Sequence, residues 1–464
     1  MAQVRTAPET RNADRLARHV LSRLVCLGSH TITGLLSTSG RQFHDWSADY
    51  RLYGHNRVDP QALFEPVRDW LCRQNSSGPV VMAMDDTRVR KSGKKTHGVK
   101  YTRDPMGPPF HVNFIQAQRF LQMSTACAGP SGEARMIPID WRHAPVPRKP
   151  KPSATAEEIA RYQEHEKRCR ISEVGVGRIA HLRTWLDKNG AEHRTLRTVV
   201  EGSFTNRTVL KHLPENTTLV GRIRSDAKLY HLPDQEPDGR GRRRVYGLPA
   251  PTPEQLRQDE THRWKTVDVF FGGEMRQVDV KQLGPLRWRA AGENLDLQLL
   301  VLRPIPYRTT ATGKKLYRNP AYLICTDPEA ELQEVIQHYL WRWDIEVNFR
   351  DEKTLLGGGK AQVRTQAAVE NVTGTAVAAY AMLLLAGAMC RENNTNRLHL
   401  PAPKWQRRKP KRLTTTTLVQ NLRYELWAQS IHFSGFNLKT LLNSKPEKIP
   451  TTPESALFYA NRYS

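Results

Sequence analysis

Two short apolar runs that end in acidic residues constrain the fold of this chain more than any other feature. Residues 80–86 read VVMAMDD, and residues 197–201 read RTVVE. Short runs rich in apolar and β-branched residues and closed by polar or glycine residues are typical of buried strands. We therefore expect a sheet whose strands deliver acids to a cleft. An acid such as Glu201 can there bind a metal, act as a base or simply begin a turn.

The composition indicates a polyanionic partner. The 464 residues carry 71 Lys and Arg against 46 Asp and Glu, a net charge of +25. A balance this basic favours nucleic acid, and no long amphipathic basic helix suggests a membrane surface instead. The six Cys show no paired spacing, which is typical of a reducing cytoplasm, and the polar first residues predict no export. The apolar run 374–390 is shorter than a membrane span and rich in Ala, so we predict a buried helix.

Four residues of distinct chemistry share one face of a predicted helix over about residues 329–356. They are Tyr339, Arg342, Glu346 and Lys353. At about 100° per residue, they lie on a stripe roughly 60° wide. A buried helix would not group a phenol, two cations and a carboxylate in this way. The alternative is an ion pair between Arg342 and Glu346 on an exposed helix, which stabilises it by a few tenths of a kcal/mol.

The pattern Y-x2-R-x3-E-x6-K resembles the signature helix of one large group of DDE-type bacterial insertion-sequence transposases. Three further segments carry the resemblance. MDDT, residues 84–87, is similar to the first-acid motif of the group, and EGSFTNRTVLKHLP, from residue 201, to the segment of the second acid. LLGGGKAQVRT, residues 355–365, is similar to the segment that follows the signature helix. The resemblance covers about residues 80–390.

The resemblance implies an α/β fold with an RNase H-like mixed sheet flanked by helices, a β-rich insertion and an N-terminal helical domain. The expected divisions are 1–78 for an N-terminal helical region that binds DNA or dimerises, 79–226 for the first part of the catalytic core, 227–300 for the β-rich insertion, 301–392 for the second part of the core with the signature helix, and 393–464 for a basic, helical C-terminal region.

By the same resemblance, the catalytic and metal-binding acids are Asp85, Glu201 and Glu346. Asp86 is the neighbouring candidate at the first position. Asp85 is preferred because the acid of the group stands two residues before a Thr, here Thr87. The second acid of the group is normally Asp, so Glu201 departs from it by one methylene, and Asp226 is the alternative.

These acids suit metal-assisted phosphodiester chemistry. Two Mg²⁺ (or Mn²⁺) ions stabilise the attacking and the leaving oxygen, and such hard ions prefer carboxylate ligands. By the resemblance, Arg342 and Lys353 would hold DNA phosphates and Tyr339 would donate a hydrogen bond to the same backbone. The basic stretch 87–109, predicted as a loop or the rim of a hairpin, supplies Lys91, Lys94 and Lys95, which either contact phosphates or form a solvated rim.

The predicted function is a transposase that binds double-stranded DNA, both transposon ends and target, and catalyses strand cleavage and strand transfer. The resemblance further implies hairpin ends and a homodimer in the DNA complex. We expect a cytoplasmic, nucleoid-associated protein without a membrane partner. Glu201 leaves a different class open, a catalytically degenerate relative that binds DNA or regulates without cutting it. A general nuclease is the third interpretation.

Overall fold

The computed structural model describes residues 10–55, 57–74, 77–105, 107–108, 110–233, 244–292, 295–308, 313–392 and 413–427. Within them, one 11-stranded mixed sheet is flanked by helices. The α/β class and the RNase H-like arrangement predicted from the sequence are confirmed.

The helices are α1 (Thr10–Val25), α2 (Ile32–Thr38), α3 (Ser47–Gly54), α4 (Glu65–Arg73), α5 (Ala156–Arg168), α6 (Ile171–Lys188), α7 (Arg207–Leu210), α8 (Pro253–Gln258), α9 (Leu332–Trp341), α10 (Asp344–Thr354), α11 (Gln366–Glu392) and α12 (Thr415–Trp427). The strands are β1 (Val80–Arg90), β2 (Lys100–Arg103), β3 (Phe114–Ala128), β4 (Ala134–His143), β5 (Leu196–Val200), β6 (Thr217–Arg222), β7 (Leu229–His231), β8 (Lys265–Phe271), β9 (Glu274–Trp288), β10 (Asp296–Leu302), β11 (Pro306–Tyr307), β12 (Leu316–Tyr317) and β13 (Ala321–Cys325).

The centre of the sheet is parallel and its sides are antiparallel. The strand order is β2-β3-β1-β5-β6-β13-β10-β9-β7, with β4 paired to β3 and β8 to β9. Strand β5 runs parallel to both β1 and β6. All five residues of β5 are buried, which explains its β-branched run, because a central parallel strand is covered on both faces.

Strand β1 is longer than predicted. The sequence predicted that residues 87–109 form a loop or the rim of a hairpin; β1 continues to Arg90, so Asp85 lies in the middle of the strand, and β2 within this stretch pairs antiparallel with β3. The reason is β3, whose 15 residues provide antiparallel partners as far as the pair Arg90 and Ala117. A local pattern could not reveal this pairing, because the partner lies about 30 residues away in the sequence.

The predicted signature helix is interrupted. It is divided into α9 and α10, as the sequence between residues 155 and 188, which also predicts one long helix, is divided into α5 and α6. At the interruption between α9 and α10 the backbone hydrogen bonds reach three residues back instead of four. Trp343 N donates to Leu340 O at 3.4 Å, and Glu346 N donates to Trp343 O at 3.1 Å. This tighter turn rotates α10 relative to a continuous α-helix.

Helix α11 contains the predicted buried helix 374–390. It is the one helix of the described residues that is long and apolar enough to cross a membrane, and 78% of its apolar window is buried inside the protein. It packs on β4, α1 and α3, and Tyr380 at its centre has no exposed surface. A helix that is apolar on all sides is accounted for by burial in a protein core.

The segment predicted as a β-rich insertion joins the main sheet. Strands β7 to β10 extend it through the pairing of β10 with β13. The domain boundaries themselves remain predictions. The basic run 403–412, most of the predicted C-terminal region and Arg240, Arg242 and Arg243 lie outside the described residues.

Candidate active site

Three elements bring the three predicted acids together. Asp85 lies in β1, Glu201 follows the last residue of β5, and Glu346 lies in the first turn of α10. Strands β1 and β5 are neighbours, and their register pairs Met84 with Val200. The next residue of each strand is therefore Asp85 or Glu201, at the same height of the sheet.

The guanidinium of Arg342 lies between the three carboxylates. Its Nη2 donates a hydrogen bond to Glu201 Oε1 and lies 3.9 Å from Glu346 Oε1. Its Nη1 lies 3.7 Å from Asp85 Oδ2. Arg342 reaches this position because it occupies the turn between α9 and α10. The three acids, distant in sequence, thus share one cation.

Arg342 is buried with few hydrogen bonds. Its side chain is 4% exposed, and within the described part of the chain its Nε and Nη1 find no hydrogen-bond partner. The ring of Tyr339 lies 5.8 Å from its Cζ. A buried guanidinium normally satisfies most of its five donors. Here three nearby carboxylates balance the positive charge of the guanidinium, although few of its N–H groups form hydrogen bonds.

Burial perturbs two of the three acids. It raises the pKa of Asp85 to about 7, against the opposing effect of Arg342. Burial also raises the pKa of Glu346, again opposed by Arg342. Desolvation disfavours a carboxylate unless nearby positive charge compensates it. Arg342, shared among three acids, therefore does not compensate for the burial of Asp85 and Glu346.

Of the two cations on the predicted helix face, Lys353 is exposed to solvent and Arg342 is buried. Arg342 was predicted to hold a phosphate, but it is enclosed by the acids. Lys353 is more exposed, and its Nζ donates to the hydroxyl of Thr87 at 2.6 Å. Tyr339 is half-buried, and burial raises the pKa of its phenol. Tyr339, Arg342 and Glu346 stay close together across the break between α9 and α10, and Lys353 contacts β1.

The basic loop after β1 divides into two kinds of lysine. Lys91 Nζ donates to the carbonyls of Gly359 and Ala361 at 2.8 and 2.9 Å, and burial lowers the pKa of Lys91 to about 8. Its ammonium thus anchors the segment after α10, a structural position that differs from the predicted phosphate contact. Lys94 and Lys95 are exposed, as a phosphate contact requires.

The alternative acids lie elsewhere. Asp86 points to the opposite face of β1 and pairs with Arg88. Asp226 is exposed and is held by Arg224 through two hydrogen bonds of 2.8 and 2.9 Å. Among the described contacts, neither carboxylate approaches Arg342.

Two cations at the rim were missed by sequence reasoning. Arg222, at the end of β6, lies 3.9 Å from Glu201 Oε2. Its position beside the end of β5 was readable from the parallel order of the two strands. The guanidinium of Arg318 lies 5.1 Å from the ring of Trp343. No sequence signal indicates this contact, because it depends on how residues 313–320 return to the sheet.

The donor set fits hard divalent cations, although the residues as arranged do not form a finished metal site. The described residues contain no group of three or more His, Cys, Asp or Glu side chains already placed to hold a metal ion. Asp85, Glu201 and Glu346 nevertheless converge on one positive charge, and carboxylates are the ligands that Mg²⁺ prefers. A metal ion in their midst requires that the guanidinium of Arg342 withdraw.

A comparison with protein families identifies the chain's relatives. The DDE superfamily endonuclease family matches residues 8–292, more than half of the chain, including Asp85 and Glu201. Glu346 lies beyond the matched residues. No curated protein matches the sequence. With the mixed sheet and the convergent acids, the match shows that this chain belongs to the DDE superfamily endonuclease family.

Proposed function

We propose that this protein is a transposase of the Y-x2-R-x3-E-x6-K group, which binds transposon ends and catalyses strand cleavage and strand transfer. The observation that carries the proposal is the convergence of Asp85, Glu201 and Glu346 on one buried guanidinium. A purely structural ion pair needs one acid for one arginine. Three acids around one arginine leave carboxylate oxygens for a further cation.

In this proposal Asp85, Glu201 and Glu346 would hold the divalent ions, whose chemistry would be to lower the pKa of the attacking water or 3′-hydroxyl and to offset charge on the leaving oxygen. The chain itself supplies orientation. Parallel strands β1 and β5 hold Asp85 and Glu201 at one height, and α10 positions Glu346 across from them. Thr87 follows Asp85 by two residues on β1, and Lys353 of α10 donates to its hydroxyl, so the pair can bind a phosphate beside the acids.

The basic surface serves DNA binding in the same proposal. Exposed Lys94 and Lys95 follow β1, the strand that carries Asp85, and the whole chain has a net charge of +25. Phosphate contacts of this kind bind duplex DNA without regard to sequence and weaken with salt. Transposition through hairpin ends and a dimer in the DNA complex remain parts of the proposal that rest on the sequence resemblance.

A second candidate function is DNA binding without cleavage. Two observations favour it. Glu201 stands where the transposase group has Asp, and Glu201 is the acid to which Arg342 donates its hydrogen bond. If the longer side chain keeps the guanidinium in place, the carboxylates remain occupied. The protein would then bind DNA as a regulator.

The deciding experiment measures strand cleavage and joining on linear DNA that carries the ends of the element, with and without Mg²⁺. We expect the parent protein to cut only with Mg²⁺. Glu346→Gln should lower the cleavage rate by about 10³-fold or more while DNA binding stays unchanged, because the change removes a ligand charge and little volume.

Glu329→Gln is the matched control, since Glu329 is an exposed glutamate just before α9. It should cut as the parent does. A parent that binds DNA but never cuts, under any divalent ion, supports the regulator. Equal losses of cleavage and binding in Glu346→Gln would make Glu346 a structural residue.

A further inference from the structure

An antiparallel ribbon forms the edge of the sheet beyond the candidate active site. It consists of β2, the first residues of β3 and the described residues of the turn between them, and we call residues 100–105, 107–108 and 110–116 the ribbon. Asp104 N donates to Asn113 O at 2.8 Å across the turn, and Arg90 Nη2 binds the Asp104 carboxylate at 2.6 Å. These contacts anchor the turn to the end of β1.

The ribbon exposes aromatic and apolar side chains to water, which is an unfavourable environment for apolar surface. Phe110 is 90% exposed, and Tyr101, Phe114 and Val112 are each more than half exposed. Single exposed apolar residues are normal on protein surfaces, but four on one short ribbon are a patch that marks an interaction site.

The aromatic face of the ribbon is the face of the sheet that carries Asp85. Asp85 pairs with Gln122, and every second residue of β3 from Gln122 to Phe114 points the same way in an unbroken register. Phe114 pairs with Arg103, and Tyr101 lies two residues from Arg103 on the same side. Eight residues of strand separate Gln122 from Phe114, a length of about 27 Å.

A basic segment covers the face between the acids and the ribbon. Residues 357–364, which follow α10, lie on the second half of β1 and on the loop beyond it, where Lys91 Nζ binds Gly359 O and His97 N binds Arg364 O at 2.9 Å. Exposed cations lie in this segment, in the loop after β1 and in β2. They are Lys94, Lys95, Arg103, Lys360 and Arg364.

We propose that the ribbon is a DNA wedge, which stacks its aromatic side chains on an opened base step of the duplex. This inference rests on the proposed function. It adds a contact point to DNA about 27 Å from the candidate active site, a distance of about eight base pairs at 3.4 Å per base pair. The exposed cations match a phosphate backbone, and aromatic side chains beside cations stack on unpaired bases. The one acid of the ribbon, Asp104, is neutralised by Arg90.

The test measures binding of a fluorescein-labelled duplex of about 40 base pairs, fully paired or with a two-base mismatch bubble, by fluorescence anisotropy without divalent metal. The parent should bind the bubble duplex more tightly. Phe110→Ala combined with Phe114→Ala should weaken binding to the bubble duplex at least about fivefold and remove that preference. The salt dependence should stay as in the parent, because stacking releases no counterions.

Two variants control for folding and exposure. Phe110→Trp keeps an aromatic ring in the exposed turn and should bind as the parent does. Leu248→Ala combined with Met275→Ala removes exposed apolar side chains from another part of the fold and should leave binding unchanged.

Three outcomes overturn the inference. Equal binding of DNA by the parent and the double alanine variant would show that the ribbon does not contact DNA, while the proposed function would still stand. A parent dimer that forms without DNA and dissociates in the double variant, measured by sedimentation, would make the ribbon an interface between two copies. A parent that binds neither duplex would reject the proposed function itself, and the wedge with it.

Discussion

Helix α10 contributes to two sets of acids that the protein treats in opposite ways. On one side, Asp344 Oδ2 accepts a hydrogen bond from Met136 N at 3.0 Å, and Asp351 Oδ2 accepts from the hydroxyls of Thr415 at 2.6 Å and Tyr380 at 3.4 Å. On the other side, Glu346 joins Asp85 and Glu201 around Arg342.

The two sets differ in what satisfies their oxygens. Asp344 and Asp351 accept hydrogen bonds from N–H and O–H groups of β4, α11 and α12, and Asp351 also pairs with Arg350 at 2.9 Å, so these acids connect those elements. On the Glu346 side, Arg342 lies between the three acids and Arg222 lies 3.9 Å from Glu201, yet burial still raises the pKa of Asp85 and of Glu346. Carboxylates whose oxygens are hydrogen-bonded serve the fold, and carboxylates whose pKa stays raised by burial are candidates for binding an external cation.

Asp351→Ala is the substitution that we expect to have the largest effect in testing the difference between the two sets of acids. Because two buried hydroxyls would lose their acceptor, we expect the free energy of unfolding to fall by about 3 kcal/mol. Cleavage per folded molecule should stay at the parent level. Urea unfolding measures the stability, and an activity assay at low temperature measures the cleavage. Glu346→Ala is the comparison, and it should lose cleavage while its stability stays near that of the parent. A loss of cleavage beyond the loss of folded protein would place Asp351 in the active site.

Arg342→Gln tests the other side. Without the guanidinium the acids repel one another, so the metal-free protein should lose about 2 kcal/mol of stability. Added Mg²⁺ should raise the melting temperature of this variant more than that of the parent, since no guanidinium competes for the carboxylates. Arg303→Gln, in an exposed ion pair with Asp279, is the control and should respond to Mg²⁺ as the parent does. An equal Mg²⁺ response in Arg342→Gln and the parent would show that Arg342 and the metal do not compete.

A buried histidine on α9 makes the stability of the fold depend on pH. Burial, and then Arg197, lowers the pKa of His338 to about 3 from 6.5. The unfolded chain therefore binds a proton at His338 that the folded chain excludes, so the contribution of His338 to stability falls as the pH drops below 6.5, by up to about 1.4 kcal/mol per pH unit. Asp85, whose pKa is raised to about 7, acts in the opposite direction over the same range. His338→Gln should reduce this slope by one proton, measured by urea unfolding from about pH 7 to about pH 5. An unchanged slope would mean that other groups cause the acid sensitivity.

Glu201→Asp should have the smallest effect. It restores the usual second acid of the transposase group and shortens the side chain by one methylene, so we expect cleavage within about tenfold of the parent, in either direction. Glu201→Ala should abolish cleavage. Revival of an inactive parent by Glu201→Asp would identify a degenerate copy with one lesion. If Glu201→Ala cuts normally and Asp226→Ala does not, the second acid is Asp226.

Much of the fold could be predicted from the sequence, because burial leaves local patterns. The β-branched run before Glu201 predicted a buried strand, and β5 is buried at every position. The apolar run 374–390 predicted a buried helix, and α11 fills that role. Because side chains alternate along a strand, Asp85 and Asp86 must also point to opposite faces of β1. Which of the two meets the other acids depends on β5 and α10, which are distant in the sequence.

The length of β1, the turn at Arg342 and the neighbours of Arg342 were decided by tertiary structure alone. A helical wheel places Arg342 and Glu346 on one face, but it cannot show that Asp85 and Glu201 lie across from them. Hydrophobic periodicity is local, because it reflects which side of one element meets the core. The role of a charge depends on groups that long-range pairing brings within a few ångströms. For that physical reason the sequence determined the class of the fold and the candidate acids, and only the folded chain decided that an arginine predicted to hold DNA lies among the acids instead.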